Sequence, residues 1–140
     1  MSENLYLVRS ISTPWERGDF GSIDWAHPEI EYVIADGPAP GSWKGIAGMA
    51  QGWTEFLSAW DEYRVKAEEY RELDGERVLV LIRHHARGKT SGLELGQMRA
   101  KGASLFHVGD GKVTKLVLYN DRERALADLG LAPEADSLGS

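Results

Sequence analysis

Residues 103–130 read ASLFHVGDGKVTKLVLYNDRERALADLG, and this stretch decides the fold. Two runs rich in valine, leucine and aromatic residues flank Asp110-Gly111, a pair that accepts the positive φ angles of a tight turn. The runs are therefore predicted as a hairpin. The second feeds directly into Tyr119-Asn120-Asp121-Arg122, where Asp121 is placed to cap a helix that carries Ala125, Leu126 and Leu129 and stops at Gly130.

Working upstream, Asp74-Gly75 reads as a second turn of the same kind, and a period near two from residue 62 onward predicts four strands over 62–73, 77–88, 93–108 and 112–120. Short connections make them antiparallel neighbours. Ile46, Met49, Ala50, Trp53, Phe56, Leu57 and Trp60 recur at helical spacing over 45–60, and Leu5, Val8, Ile11 and Trp15 do so over 4–17. Pro14 is expected to kink or end that first helix near Ser12-Thr13. Asp19 is read as the cap of a short second helix with Phe20, Ile23 and Trp25, Glu29 to Ile34 as a first strand, and 36–42 as an irregular loop. The order predicts an α+β fold: a cone-shaped, curved antiparallel or mixed sheet wrapped around N-terminal helices, one domain over 1–132 with a tail at 133–140.

Composition narrows the function. A net charge of −6 and scattered lysines and arginines argue against a nucleic-acid surface, and no apolar run approaches bilayer length, so no membrane partner is expected and the chain reads as cytoplasmic. The absence of cysteine removes thiolate chemistry and cysteine-held zinc. With four scattered histidines, neither a metal nor another cofactor is expected. Along 78–82, valines and isoleucine alternate with Leu79 and Leu81, so both faces of that strand are apolar. If the helices cover only one face, the other needs a second copy of the chain, which predicts a homodimer through the sheet.

Several motifs together carry a resemblance: Trp15-Glu16-Arg17-Gly18-Asp19-Phe20, His27-Pro28-Glu29-Ile30-Glu31, Trp43-Lys44-Gly45, Asp110-Gly111-Lys112 and Tyr119-Asn120-Asp121-Arg122. In order and spacing they resemble the SnoaL-like proteins of the nuclear transport factor 2-like superfamily, relatives of ketosteroid isomerases, polyketide cyclases and limonene epoxide hydrolases. The resemblance implies a cystatin-like α+β barrel, frequent dimers, and an apolar pocket for a hydrophobic small molecule. It also implies cofactor-free acid–base chemistry of isomerase, cyclase or hydratase type, or else a non-catalytic binding module on the same fold.

The candidate residues follow. His84 shares a face with Val78, Val80 and Ile82 and reads either as a general base in the pocket or as a rim histidine bonded to water. Where ketosteroid isomerase-like members carry an aspartate base on the first strand, this chain offers Tyr32. Arg99 and Gln97 share one strand face; on the concave side they would hold a carbonyl or enolate, on the convex side they are surface or dimer residues. Asp121 is read as the helix cap and, with Arg83 and Arg99, as the material for an epoxide-hydrolase-like set. Trp15, Trp43, Trp53 and Tyr119 complete the ligand-binding candidates, Trp43 from a loop and Tyr119 through its hydroxyl. Glu68 and Glu69 read as solvated strand surface.

Overall fold

The computed structural model describes residues 3–17, 19, 24–36, 40–58, 60–88 and 98–131. Asp110 and Gly111 take φ angles of 53° and 76°, and the hairpin they turn joins β5 (Met98–Gly109) to β6 (Lys112–Tyr119). Upstream lie α1 (Glu3–Glu16), β1 (Ala26–Ile34), β2 (Gly41–Lys44), α2 (Gly45–Ser58), β3 (Trp60–Glu72) and β4 (Arg77–Gly88), and α3 (Arg122–Asp128) follows β6. The six strands form one mixed sheet in the order β2-β1-β6-β5-β4-β3, parallel only between β1 and β6. The α+β expectation of a curved sheet around helices holds.

Several local expectations do not. Pro14 lies inside α1, which runs on to Glu16, because a proline so near the helix end removes one backbone donor without breaking the turns before it. The predicted second helix falls largely outside the described residues; Trp25 is in a turn that leads straight into β1. Gly41 to Lys44 belong to a strand paired antiparallel with β1, not to a loop. The Asp74-Gly75 connection is wider than a two-residue turn: Leu73 N–H donates to Arg77 O, and the Asp74 carboxylate accepts from the amides of Glu76 and Arg77 at 2.8 Å each.

Alternation along the strands divides the core in two. Val78, Val80 and Ile82 face inward with Val8, Ile11, Trp15, Ile30, Tyr32, Met49 and Phe106, under α1 and α2. Leu79 and Leu81 face outward and pack with Ala103, Leu105 and Val117 against Ala125 and Leu126 of α3. The apolar outer face is therefore covered by the chain's own C-terminal helix. Over these described residues the outer face is closed without a second copy.

At the free edge of β3, Glu16 at the end of α1 accepts the Ala67 amide at 2.8 Å, and Arg64 donates to the Arg17 carbonyl at 3.2 Å. The first of these occupies a backbone amide that an open edge strand would present to other chains, and the second ties the strand to the end of α1.

On α2, Gly48 and Gly52 form a seat for the Trp43 indole. A Cβ added at Gly52 would lie 2.6 Å from its Cδ2. Glycine to alanine inside a helix ordinarily stabilises by about 1 kcal/mol. Here Gly52→Ala is expected to destabilise by about 1–2 kcal/mol, because overpacking exceeds the helix gain. Thermal unfolding checks the sign, and trimming the ring in a Trp43→Leu background should restore the ordinary gain.

Candidate functional site

His84 ends the inward row of β4 and is 1% exposed. Its Nε2 lies against Gly102 on the paired strand: a Cβ built on that glycine would be 3.3 Å from it. In front of the imidazole is a hollow whose wall is formed by Trp15 of α1, Trp53 of α2, Ile34, Val65, Ile82 and Leu118 of the sheet, with Ser104 and Asn120 as further polar residues. It opens to solvent, and its enclosed volume is small, about 20 Å³. Trp15 and Trp53 stack with ring centres 5.6 Å apart, and Tyr32 meets Trp53 edge-on at 5.7 Å. The wall is thus aromatic and stiff, with its polar groups few and spaced apart, the usual make-up of a small-molecule site.

Of the residues singled out in the sequence, the fold brings Trp15, Trp53, His84 and Tyr119 to this hollow. Tyr32 is fully buried one layer behind, between Trp53 and Trp43. Trp43, expected from a loop, instead sits on β2 over the α2 glycines. Tyr119 contributes differently from expectation. Its ring packs in the outer cluster, and its carbonyl is the group that lies close to Gly102. Burial first, and then Asp128, push its phenol up from the ordinary value. Asp121 is exposed and caps α3, accepting the Glu123 amide at 3.0 Å. Arg99 pairs with His85 in the β4–β5 ladder; its side chain and Gln97 lie outside the described residues.

Two arrangements escaped the sequence reading. Asp36, just past β1, accepts the backbone amides of Asn120 at 2.5 Å and Asp121 at 3.2 Å, while Asn120 Nδ2 donates to the Asp36 carbonyl at 3.1 Å. This latch holds the mouth of the hollow to the start of α3. Arg122 is 3% exposed and reaches over three strands, donating to Gly102 O at 3.2 Å, Ile82 O at 2.5 Å and Glu68 Oε1 at 2.7 Å.

Glu68 is therefore not simply a solvated surface residue. The β3–β4 register slips between Ala67 and Glu69, so Glu68 is the extra residue of a bulge and is gripped by Arg122 and, at 2.9 Å, by Arg83. The Arg122 hydrogen bond, above all, holds its carboxyl below the ordinary value. The only sequence signal was an acidic pair breaking the strand's alternation. His107, read as an ordinary strand residue, is half-buried, and burial, then Lys115 and Arg77, push its imidazole down.

A curved, unclosed mixed sheet with α1 and α2 on its inner face and α3 over its outer face defines an open α+β fold. The chain belongs to the SnoaL-like domain family, whose sequence profile matches residues 8–116. No curated protein matches it.

Among solved structures, it is similar to TerC, co-crystallised with polyporic acid, at 21% identity over 91% of this chain and 98% of that one, TM-score 0.71. A nuclear transport factor 2-like protein of unknown function from Burkholderia pseudomallei is 20% identical over 91% and 97%, TM-score 0.73. A ketosteroid isomerase-like fold protein from Catenulispora acidiphila, in complex with trimethylamine, is 16% identical over 90% and 93%, TM-score 0.63. At these identities the likeness shows the fold. No helix among the described residues is long and apolar enough to cross a membrane.

Proposed function

We propose that the chain binds a hydrophobic carbonyl compound in the hollow and that His84 exchanges a proton with it, as a cofactor-independent isomerase- or cyclase-type enzyme. One observation carries this reading: a histidine that is 1% exposed stands at the inner wall of an aromatic hollow. Imidazole is the side chain best matched to proton transfer near neutral pH, and burying one costs free energy that pure packing would avoid by using leucine. Membership of the SnoaL-like family, and neighbours of the same fold crystallised with polyporic acid and trimethylamine, support a small-molecule ligand for this fold.

The reading can be tested before the natural substrate is known. Acetophenone in D₂O exchanges its methyl protons when a base removes them, and NMR follows the loss of the signal. The wild-type chain is expected to accelerate exchange over buffer, and His84→Gln to lose about 10²-fold or more of that acceleration while keeping its fold. A variant as active as the wild type would remove His84 as the base.

A second reading, a non-catalytic binding module, is favoured by Tyr32. The resemblance implies an aspartate at its position in isomerase-like members, and here the tyrosine is buried between tryptophans. On that reading acetophenone binds and its protons exchange no faster than in buffer.

A further inference from the structure

The hollow does not end at His84. A second compartment, also open to solvent and with an enclosed volume of about 10 Å³, lies between α1 and the sheet and shares Trp15, Val65, Ile82 and Ser104 with the first. Two hydroxyls stand in its wall, Ser12 from α1 and Ser104 from β5, 6% and 3% exposed. Neither hydroxyl has a hydrogen-bond partner among the described residues.

The neighbouring side chains make this informative. On the same helix, Ser10 donates to Leu7 O at 2.6 Å and Thr13 to Arg9 O at 2.9 Å, the usual way a helix absorbs a hydroxyl. Ser12 makes no such bond. Ser104 lies in the middle of the ladder, opposite Val80 on one side and Leu118 on the other, where an apolar residue of similar size would pack without desolvation cost. Two largely buried serines on the wall of one compartment, their hydroxyls not absorbed by the described residues, are the arrangement expected when a partner arrives with the ligand.

Charge limits what that partner is. Glu16 also lines the compartment, with Oε2 accepting the Ala67 amide at 2.8 Å, and an anionic group beside it would be repelled. A neutral oxygen that accepts hydrogen bonds fits.

We propose that Ser12 and Ser104 form the subsite for the ligand's carbonyl oxygen, each hydroxyl donating to it, with the carbon skeleton lying back along the stacked Trp15 and Trp53 toward His84. This inference rests on the proposed ligand site. It goes beyond it in assigning the second compartment, the two donors and a neutral carbonyl as the group that they select.

The test compares acetophenone with α-methylstyrene, which replaces the carbonyl oxygen by a methylene at nearly the same shape, in NMR titrations of the full chain. In the Ser12→Ala/Ser104→Ala variant, the Kd for acetophenone is expected to rise about tenfold while that for α-methylstyrene stays within about twofold. Ser104→Thr in the Ser12 background, which keeps the hydroxyl, should retain most of the ketone's affinity. Circular dichroism establishes that each variant is folded.

Equal losses for both ligands, or no loss for the ketone, would overturn the serine subsite and leave the ligand site standing. If neither compound binds the wild-type chain, the proposed ligand site itself fails and the subsite with it.

Discussion

Gly102→Ala is expected to lower the stability of the chain by about 3 kcal/mol or more, the upper range for overpacking, and its melting temperature by about 10 °C. The reason is geometric. A Cβ at Gly102 would lie 2.5 Å from the carbonyl oxygen of Tyr119. That atom is backbone, so no side-chain rotation relieves the contact, and β5 and β6 must separate where their ladder ends at Ala103 and Tyr119.

The same shift would disturb Gly102 O, which accepts from Arg122, and the wall against which His84 Nε2 rests. Gly75→Ala is the control, since its added Cβ meets nothing within 4 Å and the residue is not among those with positive φ. It should be neutral or slightly stabilising. A Gly102→Ala chain that melts with the wild type would contradict the close approach.

The second large effect is at Arg122. Removing its guanidinium in Arg122→Ala leaves Ile82 O and Gly102 O without their side-chain donor and Glu68 without its shortest partner. Breaking a buried, hydrogen-bonded pair from one side typically costs about 3–5 kcal/mol. The lower end is expected here, because the Glu68 side chain is 31% exposed and keeps Arg83. Arg122→Lys should recover only part of the loss, since one ammonium cannot span acceptors on three strands in the guanidinium's fixed fork.

The pair also has a pH signature. The Glu68 carboxyl is held below its ordinary value of 4.5, so the unfolded chain binds this proton more readily than the folded one. The contribution is complete at pH values above 4.5 and is lost as the pH falls through the lowered folded value. Denaturant melts as a function of pH should show a shallower acid limb in Glu68→Gln than in the wild type. An unchanged limb would count against the grip of Arg122 on Glu68.

What could be read from sequence divides along physical lines. Local chemistry was readable: Asp110-Gly111 forms its hairpin turn, and Asp121 caps α3. The strict alternation from Val78 to His84 puts the histidine on the inner face with the valines, where the structure buries it. Features that depend on distant pairing were hidden. Gly41 to Lys44 have the composition of a loop and become a strand only because β1 lies alongside. Tyr119 sits at the end of its strand, and which core receives its ring was decided by α3 packing on the outer face.

The same helix answered the question of the two-faced apolar strand. An apolar outer face can be covered by a second chain or by seven residues at the end of the first, and alternation alone does not distinguish them. Arg122 and Glu68 lie 54 residues apart in sequence, and no local pattern announces a guanidinium that crosses the sheet to meet a bulge. The inner serines were silent for a related reason: a serine's surroundings, and not its type, decide whether its hydroxyl is absorbed by the backbone or left to a ligand.

The central claim is that the hollow between Trp15, Trp53 and His84 receives a hydrophobic carbonyl compound. The most direct measurement is an NMR titration of the isotopically labelled wild-type chain with acetophenone, following the indole N–H signals of Trp15 and Trp53 and the imidazole C–H signal of His84. Saturable shifts centred on these three residues are expected, while Tyr6, 71% exposed on α1, stays unmoved. Saturable shifts that avoid these residues, or no saturable shift at all, would contradict it.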